Sequence, residues 1–424
     1  MPDEMWDPMR RPRGVLNRQP QKRDGPVRIP LLLLCMALAA AVGWVIGDDE
    51  LQARIGDMPD NIADWWEEQS ASWAAMPTPT PTPAGPPHLR HLEYKQQMLG
   101  LINAERERAG VGLVTLGDNN AAQLHAESGL KHCISSHWGV DGLKPYMRYT
   151  LAGGYQSNGE NGRGLDYCIS ASDWVRSLDS LDVEVEDAVR GWMGSPGHRR
   201  NILDPTHQKV NIGLAWDRYN INAVQHFEGD YVVYDALPAI AGGTLSLQGT
   251  LKNGAVIRGE DDLGVQVYFD PPPHPLTAGQ LSRTYCYTNG LQVASLRPPL
   301  TGGWFYDTHE FTQEYGQCPD PYAVPLDASA PGSPDEASLH YDAAKAASGS
   351  LPPVLHTVPW ITAQTWRLGG DSFTVTADIN SILNQYGPGV YTIVVWARLM
   401  GDDNVVSEYS IFHEVTPPDT YSWP

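Results

Sequence analysis

A run of nineteen residues without a charge, IPLLLLCMALAAAVGWVIG at positions 29–47, sets the plan of this chain. A helix of that length rises about 1.5 Å per residue and so crosses a hydrocarbon core roughly 30 Å thick. One spanning helix is expected there. Seven basic residues precede it (Arg10, Arg11, Arg13, Arg18, Lys22, Arg23, Arg28), and Asp48, Asp49 and Glu50 follow. This asymmetry places residues 1–28 in the cytoplasm and everything beyond the helix outside the membrane. A cleaved signal peptide is the competing reading, because Ala37-Leu38-Ala39 resembles a cleavage site. The apolar run continues past that site through Val42, Trp44, Val45 and Ile46, which favours a permanent anchor. Leu34, large and directly before Cys35, argues against a lipoprotein cysteine.

The charge is as uneven as the hydropathy. The whole chain has 29 Lys and Arg against 50 Asp and Glu, a net −21. Residues 1–47 hold the seven basic residues and only four acids (Asp3, Glu4, Asp7, Asp24), which is +3, so the remainder carries −24. A body this acidic repels a phosphate backbone, and no basic stripe interleaves with aromatics. Nucleic acid is therefore excluded as a partner. Apart from Cys35 in the apolar run, the cysteines are Cys133, Cys168, Cys286 and Cys318, an even number that suits an oxidising compartment. Pairing Cys133 with Cys168 and Cys286 with Cys318 keeps each bridge within one domain. Reduced, buried cysteines are the alternative.

Residues 48–87 read as a connecting segment. The stretch 51–75 places Ile55, Ile62, Trp65, Trp66 and Trp73 among acids, compatible with an interfacial amphipathic helix or with disorder. MPTPTPTPAGPP at 76–87 is an extended, semi-rigid spacer. A first folded domain is expected over 88–236. Helical spacing marks 88–109, 119–132 and 183–193, the last ending before a Ser195-Pro196-Gly197 turn, and strand-like runs follow at 210–216 and 222–227. Helices around a small sheet make this α+β, in an α-β-α arrangement. From 237 to 424 short Val-, Thr- and Tyr-rich runs at 244–251, 264–269, 283–288, 372–378, 389–399 and 405–415 alternate with Pro and Gly. They predict an all-β antiparallel sandwich, interrupted by a long surface loop over 299–358.

Within the first domain the chain reads Leu101-Ile102-Asn103-Ala104-Glu105-Arg106, then Ser136-His137-Trp138-Gly139, then Gly159-Glu160-Asn161. WMGSPGHRRNIL follows at 192–203, then Val210-Asn211-Ile212-Gly213 and Val224-Gln225-His226-Phe227. Taken in this order, the segments resemble the CAP superfamily (cysteine-rich secretory proteins, antigen 5 and pathogenesis-related proteins) in its bacterial form. The resemblance implies an α-β-α sandwich with a central cleft. There His137, Glu160 and His198 would converge, in some members around a divalent metal. The eukaryotic pattern has a second glutamate where this chain has Ser195, as bacterial relatives do. Residues 164–182 look like an insertion beside the cleft.

Two imidazoles and a carboxylate would suit zinc or another divalent cation and leave a position for water. A metal-free cleft held by hydrogen bonds among the same three groups is the alternative. Ser195 and His198, with Glu160 orienting the base, form a candidate nucleophile system, but a tight Ser-Pro-Gly turn accounts for Ser195 without catalysis. The resemblance implies an extracellular module that binds a lipid, a small ligand or a surface protein, rather than an enzyme, here carried on the membrane anchor read from residues 29–47. The alternative is a metal-dependent hydrolase of envelope or extracellular material. His125, His132, His207 and His226 read as structural or surface histidines.

Overall fold

The computed structural model describes residues 85–424 except 165–166, 170–177, 179, 260–261, 303, 419–420 and 422–424. The expected spanning helix, and the connecting segment as far as residue 84, lie outside the described residues, as does most of the expected insertion. Among the described residues no helix is long and apolar enough to cross a membrane.

The first domain is a three-layer α-β-α unit, as expected. In chain order it contains α1 (Leu92–Ala109), β1 (Thr115–Leu116), α2 (Ala121–His132), α3 (Pro145–Leu151), β2 (Asn158–Arg163), α4 (Leu181–Gly194), α5 (Pro196–Leu203), β3 (Lys209–Trp216) and β4 (Ile221–Glu228). The sheet runs β1-β3-β4-β2, parallel between β1 and β3 and antiparallel elsewhere. Side chains alternate across it. Val210, Ile212, Leu214, Ala223 and Phe227 pack on Met98 and Ile102 of α1 and on Val185, Val189 and Trp192 of α4. Ala215 and Val224 point the other way, against Ala122 and Ala126 of α2. Helix α1 stops where Gly110 turns left-handed at φ 72°, a conformation glycine takes without Cβ strain.

Helix α4 ends at Gly194 with Ser195 as its C-cap, as expected, but Ser195-Pro196-Gly197 also opens a second helix for which Ser195 is the N-cap. Pro196 is the first residue of α5, where its missing N–H costs nothing and its fixed φ favours the helix.

The second region is built of two sheets. It adds β5 (Val232–Ala241), β6 (Thr244–Leu251), β7 (Leu263–Asp270), α6 (Ala278–Leu281), β8 (Leu291–Arg297), β9 (Glu310–Tyr315), α7 (Pro334–Ser350), β10 (Val354–Thr362), β11 (Thr365–Gly369), β12 (Ser372–Asp378), α8 (Asn380–Tyr386), β13 (Gly389–Leu399) and β14 (Asp402–His413). One sheet runs β14-β13-β7-β8-β10-β9 and the other β11-β12-β6-β5. Leu245, Leu247 and Phe373 from the smaller sheet meet Val265, Val293 and Ile393 from the larger in one core. Three details differ from expectation. Residues 283–288 are not a strand; the strand is β8, a few residues later. Strands β8 and β10 pair in parallel, so the sandwich is mixed. The 299–358 stretch contains β9 and the seventeen-residue α7, which is capped by the Ser333 hydroxyl accepting from Glu336 N–H.

Strand β13 is buried on both faces over Val390–Val395. Tyr391, Ile393 and Val395 enter the sandwich core, while Val390 packs with Tyr146 and Met147 of α3. The large sheet is therefore sandwiched in turn between its own core and the first domain. Polar groups stitch this contact. Lys144 Nζ lies 2.7 Å from Asp270 Oδ1, and Tyr146 donates to Asp270 Oδ2 at 2.6 Å. The Glu408 carboxylate accepts from the side-chain amides of Asn158 at 2.6 Å and Asn289 at 2.8 Å. Both expected disulfides are formed, with Cα atoms 4.9 Å apart for Cys133–Cys168 and 5.5 Å for Cys286–Cys318.

Candidate functional site

Edge strand β2 carries the Gly-Glu-Asn triplet, and alternation sends Glu160 and Asn161 to opposite faces. Glu160 stands opposite His226 of β4 in the ladder. Helix α3, started by Pro145, is short and buried from Pro145 to Thr150. It delivers Arg148, fully buried, to the carboxylate.

Arg148 Nη2 donates to both oxygens of Glu160, at 2.6 Å each. Its Nη1 donates to the carbonyls of His137 at 2.7 Å and Leu143 at 3.1 Å. The His137 Nδ1 is 2.8 Å from Glu160 Oε1, and His226 Nδ1 is 4.0 Å from Oε2. Burial alone would raise the Glu160 carboxyl, but the Arg148 charge and the hydrogen bond from His137 outweigh it and hold the group well below the usual carboxylate range. Burial lowers the imidazoles of His137, His125 and His226, the last two to about 3 and about 4. The cluster at neutral pH is thus one guanidinium, one carboxylate and neutral rings.

The structure brings His137 and Glu160 together directly. His198, in α5, is buried and enters through its backbone: Asn161 Nδ2 donates to the His198 carbonyl at 3.1 Å and to Gln225 Oε1 at 3.0 Å. Asn201 closes the clamp, donating to the Glu160 carbonyl at 3.2 Å and to Asn161 Oδ1 at 2.9 Å. Trp192 Nε1 donates to the Gly162 carbonyl at 2.9 Å. Much of the motif that looked chemical therefore fastens α4 and α5 to β2. Ser195 is the N-cap of α5, 2% exposed, and its hydroxyl has no hydrogen-bond partner. A Ser195–His198 hydrogen bond is not formed.

Both Glu160 oxygens already accept from Arg148, and a dication there would sit beside a guanidinium. Among the described residues no three His, Cys, Asp or Glu side chains are grouped to hold a metal ion. The residues present do not fit a divalent cation.

The second region covers the cluster. Tyr287 stands edge-on to the His137 ring, with centroids 5.0 Å apart. Ser136 Oγ and Thr284 Oγ1 are 2.7 Å apart, and Trp138 Nε1 donates to the Cys286 carbonyl at 3.3 Å. Tyr421, only 1% exposed, reaches back to place its hydroxyl 3.5 Å from His125 Nδ1. Sequence reasoning assigned no role to Arg148, Asn201 or the tyrosines and read His226 only as structural or surface. Asn201 and His226 carried a signal, their places in the matched segments.

Residues 99–227 match the family model described as Cysteine-rich secretory protein family, CAP, and this part of the chain is a CAP domain; no family model matches the C-terminal region. A crystal structure of an extracellular protein containing a SCP domain, from Bacillus anthracis str. Ames, is similar at 21% identity with a TM-score of 0.24. That likeness covers 32% of this chain and 40% of that chain. No curated protein matches the chain.

Proposed function

We propose that this chain is a membrane-anchored, extracytoplasmic binding protein whose CAP domain works without metal and without catalysis. The observation that carries the reading is the Arg148–Glu160–His137 cluster. Its carboxylate is engaged by its own guanidinium, Tyr287 stands edge-on to the His137 ring, and Tyr421 approaches His125, which supports a cluster satisfied by its own hydrogen bonds. Two disulfides support an oxidising compartment. The apolar run at 29–47 and the charges around it support the anchor.

Metal content of the full chain, purified in detergent and titrated with zinc, tests the site. No stoichiometric metal is expected; a bound equivalent that disappears in both His137→Ala and His198→Ala overturns the reading. Alkaline extraction of membranes tests the anchor separately: the chain is expected in the pellet, and its release into the wash would remove that part.

A further inference from the structure

Between the CAP domain and the sandwich lies a cavity of about 210 Å³. It is separate from the His137 cluster. Its walls are rings: Trp138 from the first domain, Tyr322 from the second, and Pro271, Pro273 and Pro319. The rings of Trp138 and Tyr322 stand perpendicular with centroids 6.0 Å apart. These walls are held in place. Tyr322 OH donates to the His274 carbonyl and accepts from His274 N–H, both at 3.0 Å, and the Cys286–Cys318 bridge ties down the residue before Pro319.

The polar groups are few and differ in kind. Lys144 lies 4.9 Å over the Trp138 ring and donates to Asp270 Oδ1 at 2.7 Å and to the Thr288 carbonyl at 2.8 Å. An ammonium has three N–H groups, so one remains on a residue that lines the cavity. Asp320, exposed at the mouth, accepts from Tyr322 N–H at 2.9 Å through one oxygen, which leaves the other. Lys144 is neutralised by Asp270, so the walls offer the ammonium donor and the Asp320 acceptor, with Thr288 beside them, and a negative charge at the rim. An anion is repelled by that rim, and an aliphatic chain would strand the ammonium N–H without a partner. A neutral, hydroxylated six-membered ring satisfies every feature. Its C–H face lies on the exposed Tyr322 ring and proline, with Trp138 forming the buried wall behind Lys144; one ring oxygen or hydroxyl accepts from Lys144, and another hydroxyl donates to Asp320.

We propose that this interdomain cavity binds one pyranose unit of a neutral glycan. Both domains contribute to the site, so the sandwich is half of a binding device rather than a spacer, and preformed walls reduce the ordering cost of binding. The inference gives the binding reading above a ligand class and rests on it. Stoichiometric metal would sink that reading alone, whereas a metal-free chain that ignores sugars sinks this inference alone.

The test uses the full chain in a detergent without a sugar headgroup, with saturation-transfer NMR against glucose, N-acetylglucosamine and the N-acetylglucosamine tetramer. Glucuronate and glucosamine serve as the anionic and cationic comparators. Saturable binding of at least one neutral probe is expected. Tyr322→Ala, at a partly exposed position, should weaken it fivefold or more, and Tyr322→Phe, which keeps the ring but loses the hydroxyl anchor to His274, should weaken it less than Tyr322→Ala does. Absence of saturable binding by all three neutral probes overturns the proposal. So does binding indifferent to Tyr322→Ala in a variant that still unfolds cooperatively, or preference for a charged comparator.

Discussion

Arg148 Nη2 lies 2.6 Å from each carboxylate oxygen of Glu160, with the two side chains 0% and 1% exposed. An ion pair so deep is stable only while both members are present. Removing one partner strands a buried charge at a cost of about 3–5 kcal/mol. Arg148→Met is therefore expected to lower the unfolding free energy by about that amount in urea titration. Adding Glu160→Gln should recover a substantial part of the loss. A double variant as unstable as the sum of its parts would show that the two groups do not act as a pair.

The Glu408 carboxyl is pushed up to about 7 by burial, which the amides of Asn289 and Asn158 only partly oppose. Its folded-state value exceeds the ordinary 4.5, so the fold holds this proton more tightly than the unfolded chain does. Stability from the group is fully present below the ordinary value and is lost as pH rises through the folded one. Unfolding free energy should fall between about pH 5 and about pH 8, and Glu408→Gln should flatten the slope. Equal slopes in the two proteins would contradict this.

Glu160 runs in the opposite sense. Its carboxyl is held down by Arg148 and His137 against the effect of burial, so its contribution exists above the ordinary carboxyl value and disappears as pH drops below it. Acid titration of the Arg148→Met variant should lack the part of the low-pH destabilisation that the parent shows.

Asn201 donates to Glu160 and Asn161 across the α5–β2 seam. Asn201→Ala leaves a buried carbonyl and a buried amide oxygen each short of a donor, for a loss of about 1–3 kcal/mol. Amide exchange should accelerate in α5 first, where the clamp acts. Uniform acceleration across the domain would point to a different role.

The Cys286–Cys318 bridge closes a segment with a sequence separation of 32. Replacing both cysteines by serine is expected to cost about 2–4 kcal/mol. Thermal unfolding with and without reductant provides the comparison, and the variant should show no further response to reduction of this pair.

What could be read beforehand follows from periodicity and spacing. The apolar spacing of Met98 and Ile102, or of Val185, Val189 and Trp192, revealed α1 and α4, and alternation in Leu245, Leu247 and Leu251 revealed β6. Helix α3 was invisible because it is buried on all sides and so has no polar face to set a period, and Arg148 was hidden with it. Residues 283–288 have strand propensity, yet tertiary contacts override it: Trp138 takes the Cys286 carbonyl and Cys286 is tied to Cys318. Helix α7 did announce itself, through Ser333-Pro334-Asp335-Glu336, but its small and polar composition reads as loop. Coverage of the His137 cluster rests on contacts hundreds of residues apart, about which local pattern says nothing.

The Tyr421–His125 approach spans 296 positions, and this has a bearing on synthesis. At roughly 5–20 residues per second, the last strand of the first domain, which ends at Glu228, is made on the order of 10–40 s before the tyrosine that completes the domain. For that interval a nascent chain exposes its charged interior to solvent. Ribosomal pausing or early termination would therefore harm a domain whose own codons were all translated correctly.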